Sequence, residues 1–398
     1  MRHGSGMPDE PWIDLLGTDP REWLLASGEP AARWATLTRL LDLPADDPDV
    51  VQARADVLTD PGVQALLDRL ALWDQETPLS GHDKPTFAPN LLSLLGDMGV
   101  RPEDDPRFAG ILNSMLEHQD PEGRFQSFGR WRGADTPLWG ALLCDAHAIA
   151  ETLARFGHAD DPRVIRAFDR MAEDIVDTAQ GRAWPCRENP GTGFRGPGRR
   201  SEFCPQVTLE ALRAASYLPH HRRPGAIIET GPISLRAWRE RGSEKPYMFG
   251  HGRQFKRVKW PVTWYGAYEM ADVLGRYPEL WGEVAADGVA ADPAADRAAD
   301  PAADPADRRA LAEVVACLVA YNVDRDGSGA LTGRVMPRSC FKGFEAYSFG
   351  QKKQPSPFAT VCLAAVVRRL DVLAPLVAEV DVLGLSSSKG GSGVALAP

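Results

Sequence analysis

Three sets of residues in this chain have the types and spacing to do chemistry. The first is an isolated acid. From Pro137 to Ala150 the sequence reads PLWGALLCDAHAIA, where Asp145 and His147 are the ordinary ionisable side chains, besides the thiol of Cys144. A carboxylate among apolar neighbours has a raised pKa unless a cation compensates, so Asp145 is a candidate general acid or an anchor for a cationic ligand. A plain hydrogen bond to backbone or to an arginine is the structural alternative. The second set is basic: Arg195, Arg199 and Arg200 in a Gly/Pro-rich stretch, Arg253, Lys256, Arg257 and Lys259 after Gly250-His251-Gly252, and Lys352 and Lys353 after Gly350. Glycines let backbone amides approach an anion, and arginine forks bind phosphate or carboxylate bidentately. Meeting at one cavity mouth, these segments would hold a diphosphate or another polyanion; as separate solvated loops they would hold nothing. The third set is aromatic. Trp184, Phe194, Phe255, Trp260, Trp264, Tyr265 and Phe349 lie within a few residues of the basic segments. Ring faces wall an apolar ligand and stabilise cations, although each ring alone is explained by core packing.

These residues need elements to position them, and the pattern predicts helices. Pro137–Phe156 is apolar almost all round, as a buried inner helix would be. Its main stripe is Trp139, Leu142, Leu143, Ala146, Ile149, Ala150 and Leu153, with Cys144 roughly opposite. Val63, Leu66, Leu67, Leu70 and Trp73 fall at helical spacing, as do Phe108, Ile111, Leu112, Met115 and Leu116, and Val164, Phe168, Met171 and Ile175. Roughly eleven helices follow from such spacing, and no run sustains the alternation of a strand. Asp-Pro pairs open three of the stretches, at Pro48, Pro106 and Pro162, spaced 58 and 56 residues apart. Asp suits the N-cap and Pro the first helical position. Gly-bearing turns follow, HQDPEGRF at 118–125, TAQGRAW at 178–184 and NVDRDGSGAL at 322–331. Helical hairpins repeating at this length stack as an open solenoid or close into an α/α toroid. The expected fold class is all-α, an α/α toroid of helical-hairpin repeats. Residues 1–30 form an N-terminal extension, 31–384 the toroid, and 385–398 a disordered tail.

Composition narrows the classes. Hydrophobic residues make up 43% of the 398 and charged residues 25%, as in an ordinary globular protein. Lys and Arg total 45 against 55 Asp and Glu, a net charge of −10, which argues against a nucleic-acid or anionic-membrane binder. The tract 284–306 carries five Asp against one Arg among Ala and Pro, and reads as a solvated acidic insertion. No signal peptide and no membrane-spanning run is visible, so a cytoplasmic location and six reduced cysteines are expected. Asp324, Asp326 and Ser328 imitate part of a calcium loop, but Val335 stands where a bidentate Glu is needed, so a plain turn is expected.

Gln119-Asp120-Pro121-Glu122-Gly123-Arg124-Phe125 resembles the Q-x3-G-x-W repeat ending of squalene–hopene cyclases and related terpenoid cyclases, whose toroid the protein prenyltransferase β-subunits share. From Trp34 onward the chain also resembles a bacterial family of toroid proteins. The likeness rests on CDA (144–146), WPC (184–186), FRGPGRR (194–200), CP (204–205), FGHGRQFKRVKWP (249–261), WY (264–265) and FGQKK (349–353). This resemblance implies a fold and not a reaction. A nitrogenase-related label in that family is rejected, because the chain has no GxxxxGK[ST] loop and no cluster-binding cysteine set. The acid motif D-x-D-D, the magnesium motif DDxxD and the zinc pair D-x-C of the named families are missing here. No cofactor is required by the sequence. A zinc site would draw on Cys186 and Cys204 with Cys144 or His147, at spacings without signature value.

Together with the acid, the basic segments and the rings, the likeness to the cyclases and prenyltransferases implies a terpenoid-cyclase/prenyltransferase-like enzyme for a small apolar substrate with an anionic group, working by cyclisation or transfer. Asp145 would be its acid. Arg195, Arg199, Arg200, Lys259, Lys352 and Lys353 would hold the anion, and Trp184, Trp264 and Tyr265 would wall the apolar part. Two other readings stand beside it: a non-catalytic toroid scaffold for a peptide or partner protein, and a glycan-active α/α-barrel enzyme, which needs two carboxylates across a cleft.

Overall fold

The structure, a computed structural model, describes residues 10–70, 81–129, 135–188, 196, 198–244, 246, 249–282 and 304–385. Helices alternate between an inner and an outer layer. The inner ones are α1 (Pro30–Arg39), α3 (Ala88–Asp97), α5 (Leu143–Leu153), α7 (Pro205–Ser216), α9 (Ala267–Leu274) and α11 (Pro357–Arg369). The outer ones are α2 (Pro48–Thr59), α4 (Pro106–Glu117), α6 (Pro162–Glu173), α8 (Gly231–Arg239), α10 (Pro305–Asn322) and the short α12 (Ala374–Ala378). Each inner helix packs on the next, and α11 packs back on α1, so the ring closes on itself. The fold is an α/α toroid. Two short helices, Pro11–Leu16 and Arg21–Leu25, pack against α11, α12 and α1.

The Asp-Pro pairs found in the sequence start outer helices. Asp47, Asp105, Asp161 and Asp304 each accept a backbone N–H two residues on, at the first turns of α2, α4, α6 and α10. Their spacing is therefore the length of one inner-plus-outer hairpin. The Gly-bearing turns that follow carry the chain from an outer helix back toward the next inner one. In the first, Asp120 Oδ1 accepts from the amides of Glu122 and Arg124, and Gly123 takes a φ of 104° that favours glycine. Gln119 Nε2 donates to Gly123 O and to Arg163 O, both at 2.8 Å, tying the turn to the start of α6.

Small antiparallel pairs occur where none was expected. β1 (Ser127–Gly129) pairs with β2 (Leu138–Gly140), and β3 (Val176–Thr178) with β4 (Gly181–Ala183). Further on are β5 (Lys259–Trp260), β6 (Val323–Arg325), β7 (Leu331–Val335) and β8 (Ser339–Cys340), with β6 against β7 and β5 parallel to β8. The helix expected over 137–156 accordingly starts late. Trp139 lies in β2 and stacks on His118 at 3.5 Å, because the ladder to β1 holds 138–140 extended. The calcium-like loop is the β6–β7 turn, where Asp326 Oδ1 accepts from Ser328 and Ala330 amides. Residues 284–303 of the acidic tract, Trp73, Phe194, Arg195 and the tail from 386 lie outside the described residues. No described helix is long and apolar enough to cross a membrane.

Candidate active site

Two chambers occupy the bore of the ring. The upper one has a volume of about 890 Å³ and opens at the N-terminal ends of α5, α7 and α9. The lower, of about 1030 Å³, lies toward the C-terminal ends of the inner helices. Val262 and Tyr268 line both, so the segment after β5 forms the partition between them.

The upper chamber is mainly apolar, with a few charged groups in fixed places. Trp264, 40% exposed, stacks on Phe249 at 5.7 Å and on His82 at 5.6 Å. Tyr265, Phe255 and Phe341 complete the aromatic wall. Thr263 Oγ1 donates to Asp83 O at 3.1 Å and latches this wall to the loop before α3. On the basic side stand Arg253, Arg257, Arg338 and Lys259. Burial, then the charges of Arg253 and Arg338, pull the Arg257 guanidinium below its ordinary value, and its Nε is buried without a partner. An anion seated there would relieve that repulsion.

At the base is one acid, Glu269, with a second, Glu210, near it that does not itself line the chamber. Glu269 on α9 lines the chamber and is 1% exposed; Arg213 Nη1 donates to its Oε1, and Oε2 has no partner. Glu210 on α7 is 2% exposed, accepts from Gln206 Nε2 at 2.7 Å on Oε1, and also keeps an unpartnered Oε2. Burial pushes the Glu210 carboxyl up to about 8. Burial also raises Glu269, against the pull of Arg213.

Beside them, in the first turn of α5, Cys144 faces the chamber and Asp145 is wholly buried. Asp145 Oδ2 accepts from Ser127 Oγ at 2.6 Å, and Oδ1 lies 3.2 Å from His82 Nδ1. Burial opposes a charge on His82, but Cys144 and Asp145 outweigh it and raise its pKa. Burial pushes the Cys144 thiol up to about 12, which leaves no resting thiolate at neutral pH.

The structure distributes the residues singled out from sequence unevenly. Trp264, Tyr265, Lys259, Cys186 and Cys204 all line the upper chamber, Lys259 with its Nζ 3.6 Å over the Phe341 ring. Trp184 is fully buried away from it, its indole N–H donating to Met171 O at 2.9 Å. His147 points away too, with Nδ1 3.2 Å from Val207 O, so the histidine that meets a cysteine is His82, beside Cys144. Arg199 and Arg200 are exposed and bridge to Glu202 and Glu188. Lys352 and Lys353 are exposed and line neither chamber. His82, Glu210, Glu269, Arg213 and Arg338 were missed. The one local signal was a glutamate inside an apolar helical run, at Glu210 and again at Glu269.

No protein-family model matches the chain, and no curated protein sequence does. A solved structure to which it is similar is a family 105 glycoside hydrolase from C. acetobutylicum ATCC 824, at 10% identity and a TM-score of 0.41, covering 86% of this chain and 92% of that one. The expected kinship with terpenoid cyclases and protein prenyltransferases is corrected, because neither the family models nor the curated proteins support it. The isoprenoid cyclisation or transfer built on it falls as well, and the geometry gives the physical reason. The polyanion claw does not assemble: Arg199 and Arg200 are spent on surface ion pairs, and Lys352 and Lys353 stand elsewhere. What surrounds the cavity is a ring of inner helices, an aromatic platform, an arginine cluster and the buried Glu269.

Proposed function

We propose that this chain is a glycan-active enzyme, a hydrolase that cleaves an acidic saccharide in the upper chamber. The observation that carries the reading is the pair Glu269 and Glu210. They sit on adjacent inner helices, each with an unpartnered buried oxygen, and Glu269 shares the chamber wall with the partly exposed Trp264. Cleaving a glycosidic bond takes two carboxyl groups, one able to give a proton at neutral pH. Glu269 is the acid in the chamber wall and meets the substrate. Glu210, held by an amide and not by an arginine, keeps its proton past neutrality and supplies the protonated member of the pair. Trp264 offers a flat apolar face for a sugar ring. The Arg253–Arg257–Arg338 cluster takes a carboxylate or sulfate on that sugar.

The test is release of new reducing ends from a panel of acidic and neutral oligosaccharides. Acidic members should be cut. Glu269→Gln should lower turnover by roughly 10²–10⁴-fold with binding retained, and Trp264→Ala should mainly raise KM. A panel left wholly uncut and unbound, or full turnover in Glu269→Gln, would overturn the reading.

A further inference from the structure

We propose that His82, Cys144 and Asp145 form a binding site for a zinc-class divalent ion at the edge of the upper chamber, with a fourth coordination position open to the cavity. The assignment stands on geometry and does not depend on what the cavity cleaves. One ligand atom from each of the three residues lies within 4.8 Å of the other two. Among the described residues no other group of this kind occurs. An imidazole nitrogen, a thiol and a carboxylate are the donor set that borderline-soft zinc takes, and a site with three protein ligands and one open position is the catalytic arrangement. The 3.2 Å between His82 Nδ1 and Asp145 Oδ1 fits the edge of a tetrahedron whose metal–ligand arms are about 2.1 Å, an edge of about 3.4 Å.

The three donors are also held in place from outside, as metal ligands usually are. Ser127 Oγ occupies Asp145 Oδ2 and leaves Oδ1 turned toward His82. Trp264 stacks on the His82 ring and fixes its plane. Asn90 Nδ2 donates to His82 O and Lys84 O, at 2.7 and 2.8 Å, pinning the loop that carries the histidine. Cys144 and Asp145 are neighbours in the first turn of α5 and cannot drift apart. His82 and Cys144 both line the chamber, so a bound ion would present its free position to whatever enters. Cys186 and Cys204 line the same chamber but stand outside the three-ligand group.

The test uses the full chain. Purified protein is stripped with a chelator, then titrated with zinc or cobalt(II), and followed by elemental analysis and the absorption spectrum. One ion per chain should bind, and cobalt should give the thiolate-to-metal band and the intense visible bands of a tetrahedral site. Cys144→Ser should lose the thiolate band, and His82→Ala and Asp145→Asn should weaken binding at least tenfold. Cys340→Ser, whose thiol donates to Phe349 O outside the chamber, should bind as the wild type does. Far-ultraviolet circular dichroism of each apo variant separates loss of the site from loss of the fold. A stripped wild-type protein that takes up neither ion, or a thiolate band that survives Cys144→Ser, would overturn the proposal. Loss of the ion in Cys204→Ser would overturn the three-ligand, open-position assignment. Saccharide cleavage is read separately, so failure of either proposal leaves the other standing.

Discussion

At the scale of single residues, the bore of the toroid holds its chemistry by burial. Glu210 shows the cost most directly. With a pKa of about 8 in the folded chain, it keeps a proton that the unfolded chain releases near the usual glutamate value. Between those two values the folded state binds more protons, so its stability falls as pH rises through the window. Glu210→Gln removes this dependence. The variant should gain about 2–4 kcal/mol over the wild type at pH 8 and almost nothing at pH 4. Urea denaturation at the two pH values measures it, and parallel stability profiles would sink the account. The same substitution should abolish cleavage, since functional groups are often kept at the expense of stability.

At the scale of elements, the repeat turns do more than reverse the chain. Arg124, in the turn after α4, is buried and forks onto Asp174 at the end of α6, with Nε–Oδ2 2.6 Å and Nη2–Oδ1 2.7 Å. Arg170 and the chamber-lining Arg187 share the same carboxylate. Burial opposes the Asp174 charge, but Arg124 and Arg170 outweigh it and bring the carboxyl down to about 2. A depressed carboxyl contributes stability that is present above the unfolded aspartate value and lost as pH falls through about 2. Asp174→Asn should destabilise the chain by about 2–4 kcal/mol at neutral pH, because it removes the buried carboxylate that Arg124, Arg170 and Arg187 share. The loss should shrink toward pH 2. A variant as stable as the wild type at pH 7 would show that the fork contributes nothing. Gln119, Gly123 and Phe125 were legible in the sequence as a repeat ending because a turn is a local object. The partner Asp174, 50 residues on, was not.

At the scale of the whole molecule, the ring is belted mostly toward the C-terminal ends of its inner helices, with Glu269 in the first turn of α9 as the exception. Arg368 on α11 reaches Asp42 beyond α1, and Arg39 on α1 reaches Asp97 on α3. Asp97 reaches Arg155 past α5, Glu151 on α5 reaches Arg213 on α7, Arg213 reaches Glu269 on α9, and Asp272 on α9 reaches Arg369 on α11. Every neighbouring pair of inner helices is thus bridged by charge. Most of the arginines stand where the helix dipole favours a cation. Opposite them, the N-terminal ends are left free to frame the upper chamber. Arg213 is the member shared by belt and site. Arg213→Met should cost about 3–5 kcal/mol at pH 7.5, because Glu151 and Glu269 are left buried and uncompensated. Part of that should return as the pH is lowered, because burial already raises the Glu269 carboxyl and its protonation removes the stranded charge. A cost independent of pH would contradict this role.

The sequence by itself determined what depends on neighbours a few residues away: the helical spacing, the Asp-Pro starts of the outer helices, the Gly-bearing turns and a hairpin length that suits either a solenoid or a toroid. It also marked Trp264, Tyr265 and Lys259, because an aromatic and basic stretch is visible as composition. Only the tertiary structure decided which of these residues share a cavity. His82 meets Cys144 and Asp145 across more than sixty residues, and Glu210 meets Glu269 across two helices, because closure of the ring fixes the angle at which each inner helix faces the bore. That angle is set by packing between helices far apart in the chain, and no local pattern encodes it. The same long-range geometry turned Trp184 and His147 into the core, left Arg199, Arg200, Lys352 and Lys353 outside, and replaced the polyanion claw with an arginine cluster and a buried glutamate in the chamber wall.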